Sequence, residues 1–382
     1  MGEELKKLFR GKWVIRLLMV WFLVNAGLLF MQKDKVSMMR VLNEFCKENG
    51  MGVTEENQKK LEKTWKEKGI TEVPWEEFEE NIQMASAYAK AANSQEMAET
   101  YSGVHYLSGT AAEYVYQEFQ RLEPQIKEAA EEEITFFSPY RQHIFDFLSG
   151  YFLFALNLEG IGSAVLISLY LIDMERSSHT AMTVYSTQRG RKILWDKLGA
   201  AVVGSLLCFG ILALFSILLA GIFFPFEILW KTSLCNPLVS LKGLPCIPNR
   251  AMTIGTYMMK SIGMSTVLVV IYSLGSFATG LRFKNSYYGL GAMLIILSMM
   301  KLLSKAAPTS TKMFFWLQYN PLDMALKSGT WFLYNGHNFS PFGYEIITAV
   351  LWLGISLLGC LSGLGCLRKE KKYADTRMEE AI

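Results

Sequence analysis

Histidine is nearly absent from this chain, with four in 382 residues, and most acid–base and metal chemistry goes with it. No H-E-x-x-H or G-x-S-x-G run occurs, and no C-x-x-C or Cys/His spacing suits a metal ion. The G-x-x-x-x-G-K-[ST] loop is also missing, so the chain has no such cradle for ATP phosphates. Internal repeats are missing, which disfavours the duplicated halves of many secondary transporters. No nucleic-acid partner is expected, and no cofactor bound by the chain itself.

Charge is missing over long stretches. Residues 13–31 are interrupted only by Arg16 and residues 147–171 only by Glu159. Residues 198–224 hold no charge in 27 positions, and residues 261–281, 285–300 and 346–367 are likewise uncharged. A helix crosses the hydrocarbon core with roughly 17–25 apolar residues. Five runs meet that length, and the fifth in chain order does so to Ser304 if Lys301 snorkels. The expected fold is an all-α polytopic membrane protein with six transmembrane helices.

Lysine and arginine set the sidedness. With the N-terminus inside, segments 1–12, 173–197, 282–284 and 368–382 carry sixteen, and the outer loops 225–252 and 305–342 carry six. Both termini are expected in the cytoplasm, in a multi-pass protein of the plasma (inner) membrane. Val24-Asn25-Ala26 loosely fits a signal-peptidase site. The first run is nonetheless long for a leader and is read as a retained anchor. Four regions follow: residues 1–31 with the first helix, an extracytoplasmic block 32–143, five helices in 144–367, and a tail 368–382.

The block carries 13 Lys/Arg against 21 Asp/Glu, leaving the rest of the chain basic, as suits anionic lipids on the inner leaflet. It reads as helical. Pro74 precedes Trp75, Phe78, Ile82 and Ala85 at helical spacing. Thr110 and Glu113 make a capping-box pattern before Val115, Phe119, Leu122 and Ile126. Pro139 stops the chain before the second span. The acidic runs Glu76 to Glu80 and Glu131 to Glu133 read as solvated helix faces, and His105 and His143 as surface or packing residues. Of six cysteines, Cys208, Cys360 and Cys366 fall in apolar runs and Cys46 has no obvious partner. Cys235 and Cys246 share one Pro/Gly-rich outer loop and are a candidate disulfide.

Glu159 sits at the centre of its run beside Asn157, and Lys260 one or two turns inside the outer end of the fourth. Charges at that depth usually face a bundle interior or an aqueous path, so Asn157, Glu159 and Lys260 are candidates for a substrate pathway. Either Glu159 pairs with Lys260, or Lys260 snorkels and Glu159 is protonated and hydrogen-bonded. Gly160-Ile-Gly162 and Gly289-Leu-Gly291 suit close helix packing.

Between the second and third runs lies a polar, basic island, Met174 to Lys197. It contains Glu175, His179-Thr180, Met182, Val184, Ser186-Thr187 and Gly190-Arg191, with Lys197 opening the next run. Taken with the six-span topology, this pattern resembles the ABC-2 type permeases, the membrane subunits of ABC exporters. His179 stands where Gly is usual and Gln188 where Pro is common. Gln318-Tyr-Asn-Pro-Leu-Asp-Met, before the last run, is similar to an Asn-Pro-Leu step that in the family precedes the final helix, where short helices can dip back into the membrane. An ordinary surface loop with an aromatic belt of Phe314, Phe315, Trp316, Trp331 and Phe332 remains the other reading of that segment.

The resemblance implies a translocation pathway without its own motor. The expected partners are cytoplasmic ABC ATPase subunits carrying ATP and Mg, a second copy or related permease making a dimer, and membrane lipids. Segment 173–197 is expected to act as the coupling element through Glu175, Thr180, Met182, Val184, Ser186, Thr187 and Arg191. Glu175→Ala is then expected to uncouple hydrolysis from transport without loss of folding. The alternatives are a membrane-anchored sensor or assembly protein whose block 32–143 binds a ligand or partner, and a secondary transporter with Glu159 as proton carrier.

Overall fold

The computed structural model describes the chain outside residues 71–72, 138–142, 181–189, 225, 240–245, 284, 335–336 and 380–382. Side chains of 34–37, 88, 143, 190–192, 226, 229 and 365–379 are also outside that description. Met182, Val184, Ser186, Thr187 and Pro139 therefore fall outside the described residues, as does the side chain of Arg191.

Among the described residues six helices are long and apolar enough to cross a membrane: span 1 (Trp13–Phe30), span 2 (Ile144–Ser177), span 3 (Ile193–Phe223), span 4 (Ile254–Arg282), span 5 (Ser286–Ala306) and span 6 (Tyr344–Leu364). The chain is a mainly helical, multi-pass membrane protein. Each charge-poor run of the sequence lies in one span, because backbone groups in hydrocarbon must be satisfied within their own helix. Span 2 includes a π-helical stretch, Phe147–Phe152. Between spans 1 and 2 lies a block of six helices, Lys33–Asn49, Glu55–Glu67, Trp75–Ala91, Ser94–Val104, Gly109–Arg121 and Glu123–Glu131.

Local chemistry explains two of the block's helix starts. The Thr54 hydroxyl accepts from the Asn57 N–H and the Asn93 side chain from the Glu96 N–H, satisfying donors that a helix start leaves bare. The capping box expected at Thr110 does not form. Its helix begins at Gly109 with Ser108 at the cap, and the Thr110 hydroxyl donates to the Ser310 carbonyl instead. Gly109 is needed there: φ is +52°, and a Cβ would stand 3.0 Å from the Ser310 oxygen.

Trp75, Phe78, Ile82 and Ala85 are buried as their spacing predicts. They join a core in which Trp65 and Phe136 run on into Phe145, Tyr257 and Trp331 of the membrane helices and their loops. Val115, Phe119, Leu122 and Ile126 face a second core with Ile247, Phe315 and Phe339. The block is thus packed onto the loops at one end of the bundle, and the Asn236 side chain ties in by donating to both oxygens of Thr135 at 2.7 and 2.8 Å. The strands found are two residues each, Ile247–Pro248 against Leu333–Tyr334, antiparallel with Ile247 opposite Tyr334; they join loops and add no layer.

At the other end, the helix Gly2–Arg10 lies against the end of span 2 and the start of span 3. Leu8 is buried, the Met1 ammonium meets Asp196 at 2.8 Å, and a Cβ on Gly204 would lie 2.8 Å from Leu8. This end is called the N-terminal side and the opposite one the block side.

The glycine pairs divide. A Cβ on Gly160 would lie 2.5 Å from the Phe209 ring, so spans 2 and 3 touch there, and Gly289 packs against Gly280 of span 4. Gly162 and Gly291 have nothing within 4 Å. Gly160→Ala is expected to cost about 1–3 kcal/mol by overpacking, while Gly162→Ala leaves the unfolding temperature in detergent unchanged. Equal melting of the two variants would refute this contact.

Candidate functional site: a polar seam through the bundle

Three buried polar clusters lie along the bundle, one at each end and one between. The N-terminal cluster centres on Glu175. Its carboxylate is ion-paired with Lys197, which is fully buried and also donates to the Leu171 carbonyl, while Lys7 stands 3.9 Å away and holds Glu4 at 2.6 Å. The sequence reading placed Glu175 as a coupling residue and Lys197 as the start of a span. The structure finds the two bonded to each other, with the helix Gly2–Arg10 closing over them.

Thr180 folds back on the end of span 2. Its N–H donates to the Glu175 carbonyl at 3.0 Å and the His179 N–H to the Arg176 carbonyl at 3.1 Å. This is the Schellman pattern, whose second bonded residue sits in the left-handed region that favours glycine. His179 has φ +57°, so a side chain is held there in a backbone region that favours glycine. His179→Gly is expected to stabilise the protein by about 1 kcal/mol, read as a raised unfolding temperature. A fall would contradict this geometry. Arg176 donates to the carbonyls of Gly280 and Phe283, and Arg282 to the Gly359 carbonyl and the Ser362 hydroxyl. Arg176 thus serves carbonyls at the end of span 4, while Arg282 ties span 4 to span 6.

The middle cluster is carried by span 2. Asn157 and Glu159 are two residues apart and so point about 200° apart around a helix. Glu159 faces spans 1 and 3: the Asn25 amide donates to its Oε2 at 2.8 Å and to the Ser216 hydroxyl at 3.0 Å. One turn on, the Trp21 indole donates to the Ser163 hydroxyl at 3.2 Å. Asn25, Asn157, Glu159, Ser163 and Ser216 are all buried. Of the two alternatives for Glu159 and Lys260, the pair is not made. Lys260 is exposed on span 4 and its ammonium reaches back only to the Met252 sulfur, at 4.0 Å. The carboxyl side chain found its partner on span 1 instead, where Asn25 is the polar residue inside the bundle.

The block-side cluster is built by residues 313–334, which include the short helices Met313–Trp316 and Pro321–Leu326. Asp323 is buried. Its carboxylate pairs with Lys301 of span 5 and accepts from the Asn320 amide at 2.6 Å, while its own N–H donates to Asn320 Oδ1 at 2.8 Å. Lys301 therefore does not snorkel away from the protein, because a buried carboxylate lies closer. Lys327 donates to Gln318 Oε1 at 2.5 Å; burial pushes its ammonium down to about 8, against the attraction of Asp323.

Four spans hold this segment by its backbone or side chains. Asn157 donates to the Ala325 carbonyl at 3.1 Å, Tyr257 to Gly329, Tyr344 to Gln318 and Trp352 to Tyr319, the last three at 2.9 Å. Glu345 Oε1 accepts from the Phe332 N–H at 2.8 Å, holding a residue whose φ is +62°. Gly329 is pressed onto the span 2 backbone, where a Cβ would lie 2.8 Å from the Ser149 oxygen. Beneath it, spans 4, 5 and 6 leave an apolar cavity of about 200 Å³ between Tyr272, Met293, Leu297, Trp352 and Pro321.

No disulfide joins Cys235 to Cys246; both are buried thiols. Cys235 packs with Ile247 and Phe315, and burial pushes its thiol up to about 12. It is then kept as the protonated form, the one slow to oxidise. Among the described residues no group of three or more His, Cys, Asp or Glu is placed to hold a metal ion.

Sequence reasoning missed Asn25, Lys197 and Asp323 as members of these clusters. Each stood in view: one amide in an apolar run, one lysine at a helix start, one aspartate inside the quoted Asn-Pro-Leu step. No family model, curated protein or solved structure matches the chain.

Proposed function

We propose that the chain is the membrane-embedded permease subunit of an ATP-driven exporter of the ABC-2 type. Residues 181–189, with Arg191, receive force from a separate ATPase, and the N-terminal side faces the cytoplasm. The observation that carries this reading is the junction from which that segment leaves and to which it returns. Glu175 ends one span, Lys197 begins the next, and their buried ion pair joins the two under the helix Gly2–Arg10. A push on the segment reaches spans 2 and 3 together through such a joint, and span 1 through Glu4 and Lys7. The block-side cluster supports the same reading, since it links spans 2, 4, 5 and 6 at the far end.

Cargo moves, in this reading, along the bundle or along the paired surfaces of two permease copies, with ATP and Mg held by the ATPase. Affinity purification of the full chain from native membranes in mild detergent tests it. An ATPase subunit should co-purify, and its hydrolysis should rise in the complex. Repeated recovery of a stable chain with no ATPase sinks the proposal and favours the sensor, whose packed block would act on the bundle through the loops it covers.

A further inference from the structure

Glu159 and Asn25 present an imbalance that one proton corrects. The Asn25 amide nitrogen is fully used, donating to Glu159 Oε2 and to the Ser216 hydroxyl. The two remaining oxygens, Glu159 Oε1 and Asn25 Oδ1, are buried and receive no hydrogen bond. Both accept only, so an ionised Glu159 leaves two adjacent side chains with unsatisfied oxygens in a water-poor place. A carboxylic acid differs by one donor. With the proton on Oε1, that O–H can donate to Asn25 Oδ1 while the Asn25 N–H donates to Oε2. An acid and a primary amide then close a ring of two hydrogen bonds.

Among the described residues no charge makes an ion pair with Glu159 that would favour the ionised form. On span 1 the charged residue is Arg16, exposed and nine residues from Asn25, about 13 Å along the axis. On span 2 the nearest are Asp146 and Asp173, 13 and 14 residues away. Span 3 has Asp196 and Lys197 at its start, and span 4 has Lys260 and Arg282 toward its ends. None of these makes an ion pair with Glu159. The Trp21–Ser163 bond one turn away keeps spans 1 and 2 in register.

We propose that Glu159 is a proton-binding site, and that the neutral acid latches span 1 to span 2 through the Asn25 amide. Span 1 joins the helix Gly2–Arg10 to the block, so the latch sets where both are held. Loss of the proton removes the donor, leaves a charge against Asn25 Oδ1 and loosens span 1. The proposal does not depend on the exporter reading.

Infrared difference spectra of the detergent-purified full chain test it. Wild type minus Glu159→Gln at neutral pH should show the C=O band of a protonated carboxyl, displaced in Asn25→Leu, where the ring cannot form. Ionised carboxylate bands in that difference would overturn the proposal. Thermal unfolding gives a second arm. Glutamine has one donor and one acceptor in the same places, so Glu159→Gln should match wild type at neutral pH, and Glu159→Leu should melt lower. Because the folded state favours the protonated form, wild-type stability should fall relative to Glu159→Gln as pH rises. A glutamine variant that melts with the leucine variant, or a pH trend shared by wild type and glutamine, rejects the latch. Should Glu159→Gln fail to fold, Asn25→Leu minus wild type reads the same carboxyl band.

Discussion

Glu175→Ala is expected to destabilise the protein by about 3–5 kcal/mol, the range for removing one partner of a buried ion pair. Lys197 is fully buried, and without Glu175 its ammonium keeps, among the described residues, the Leu171 carbonyl as its direct partner. The loss should appear as a large drop in unfolding temperature and as poor recovery from detergent extraction. This reverses what the sequence suggested for the same substitution, an uncoupled but folded protein. The reversal follows from burial: a residue aimed at a partner can be truncated cheaply, and one that neutralises a buried lysine cannot. The double variant Glu175→Met with Lys197→Met should regain most of the stability, since an apolar pair of similar volume is often as good as a buried ion pair. Full stability of Glu175→Ala alone would show that the two do not depend on each other. The double variant also separates structure from coupling, being folded while lacking both charges at the joint.

Asp323→Ala is expected to cost about 3 kcal/mol, the low end for a broken buried pair, because Lys301 is partly exposed and retains a route to solvent. Its carboxylate serves two donors, Lys301 and Asn320, and the Asn320 side chain in turn caps the helix Pro321–Leu326. Truncation removes the anchor that draws residues 313–334 onto span 5. Limited proteolysis in detergent should then cut this segment in Asp323→Ala at a concentration that spares the wild type. Asp323→Asn keeps an oxygen for Asn320 and should be intermediate. Unaltered protection of the alanine variant would show that the bonds from Asn157, Tyr257, Tyr344 and Trp352 hold the segment without it.

The spans were legible because charge is excluded from them: six runs and, among the described residues, six long apolar helices, with limits that differ by a few residues at the ends. The fifth held to Ala306 although its lysine behaves otherwise than expected. The helices of the block were legible where large apolar residues recur, as at Trp75, Phe78 and Ile82. The start at Thr110 was misread because its hydroxyl is claimed by Ser310, 200 residues away. Glu159 stood out as the charge in its run, yet Asn25 did not. An amide among apolar residues is unremarkable until another helix brings a carboxyl to it, and the pairing lies 134 residues apart. Lys260 attracted the pairing on charge alone, and helix rotation placed it on an exposed face. Lys197 read as one more basic residue of the N-terminal side, since positive-inside bias and a buried ion pair leave the same mark in a sequence. His179 gave no sign in the sequence of its positive φ, because a helix end is closed by the turn that follows it and not by the residue type alone.

The central claim is that a separate ATPase acts on this chain through residues 181–189. Mass spectrometry of the purified protein from native membranes measures it directly when done on wild type and on a variant with 181–189 replaced by glycine and serine. An ATPase subunit should accompany the wild type and be lost from the variant, while the two unfold at similar temperatures. Equal recovery of an ATPase with both, or none with either, would contradict the account.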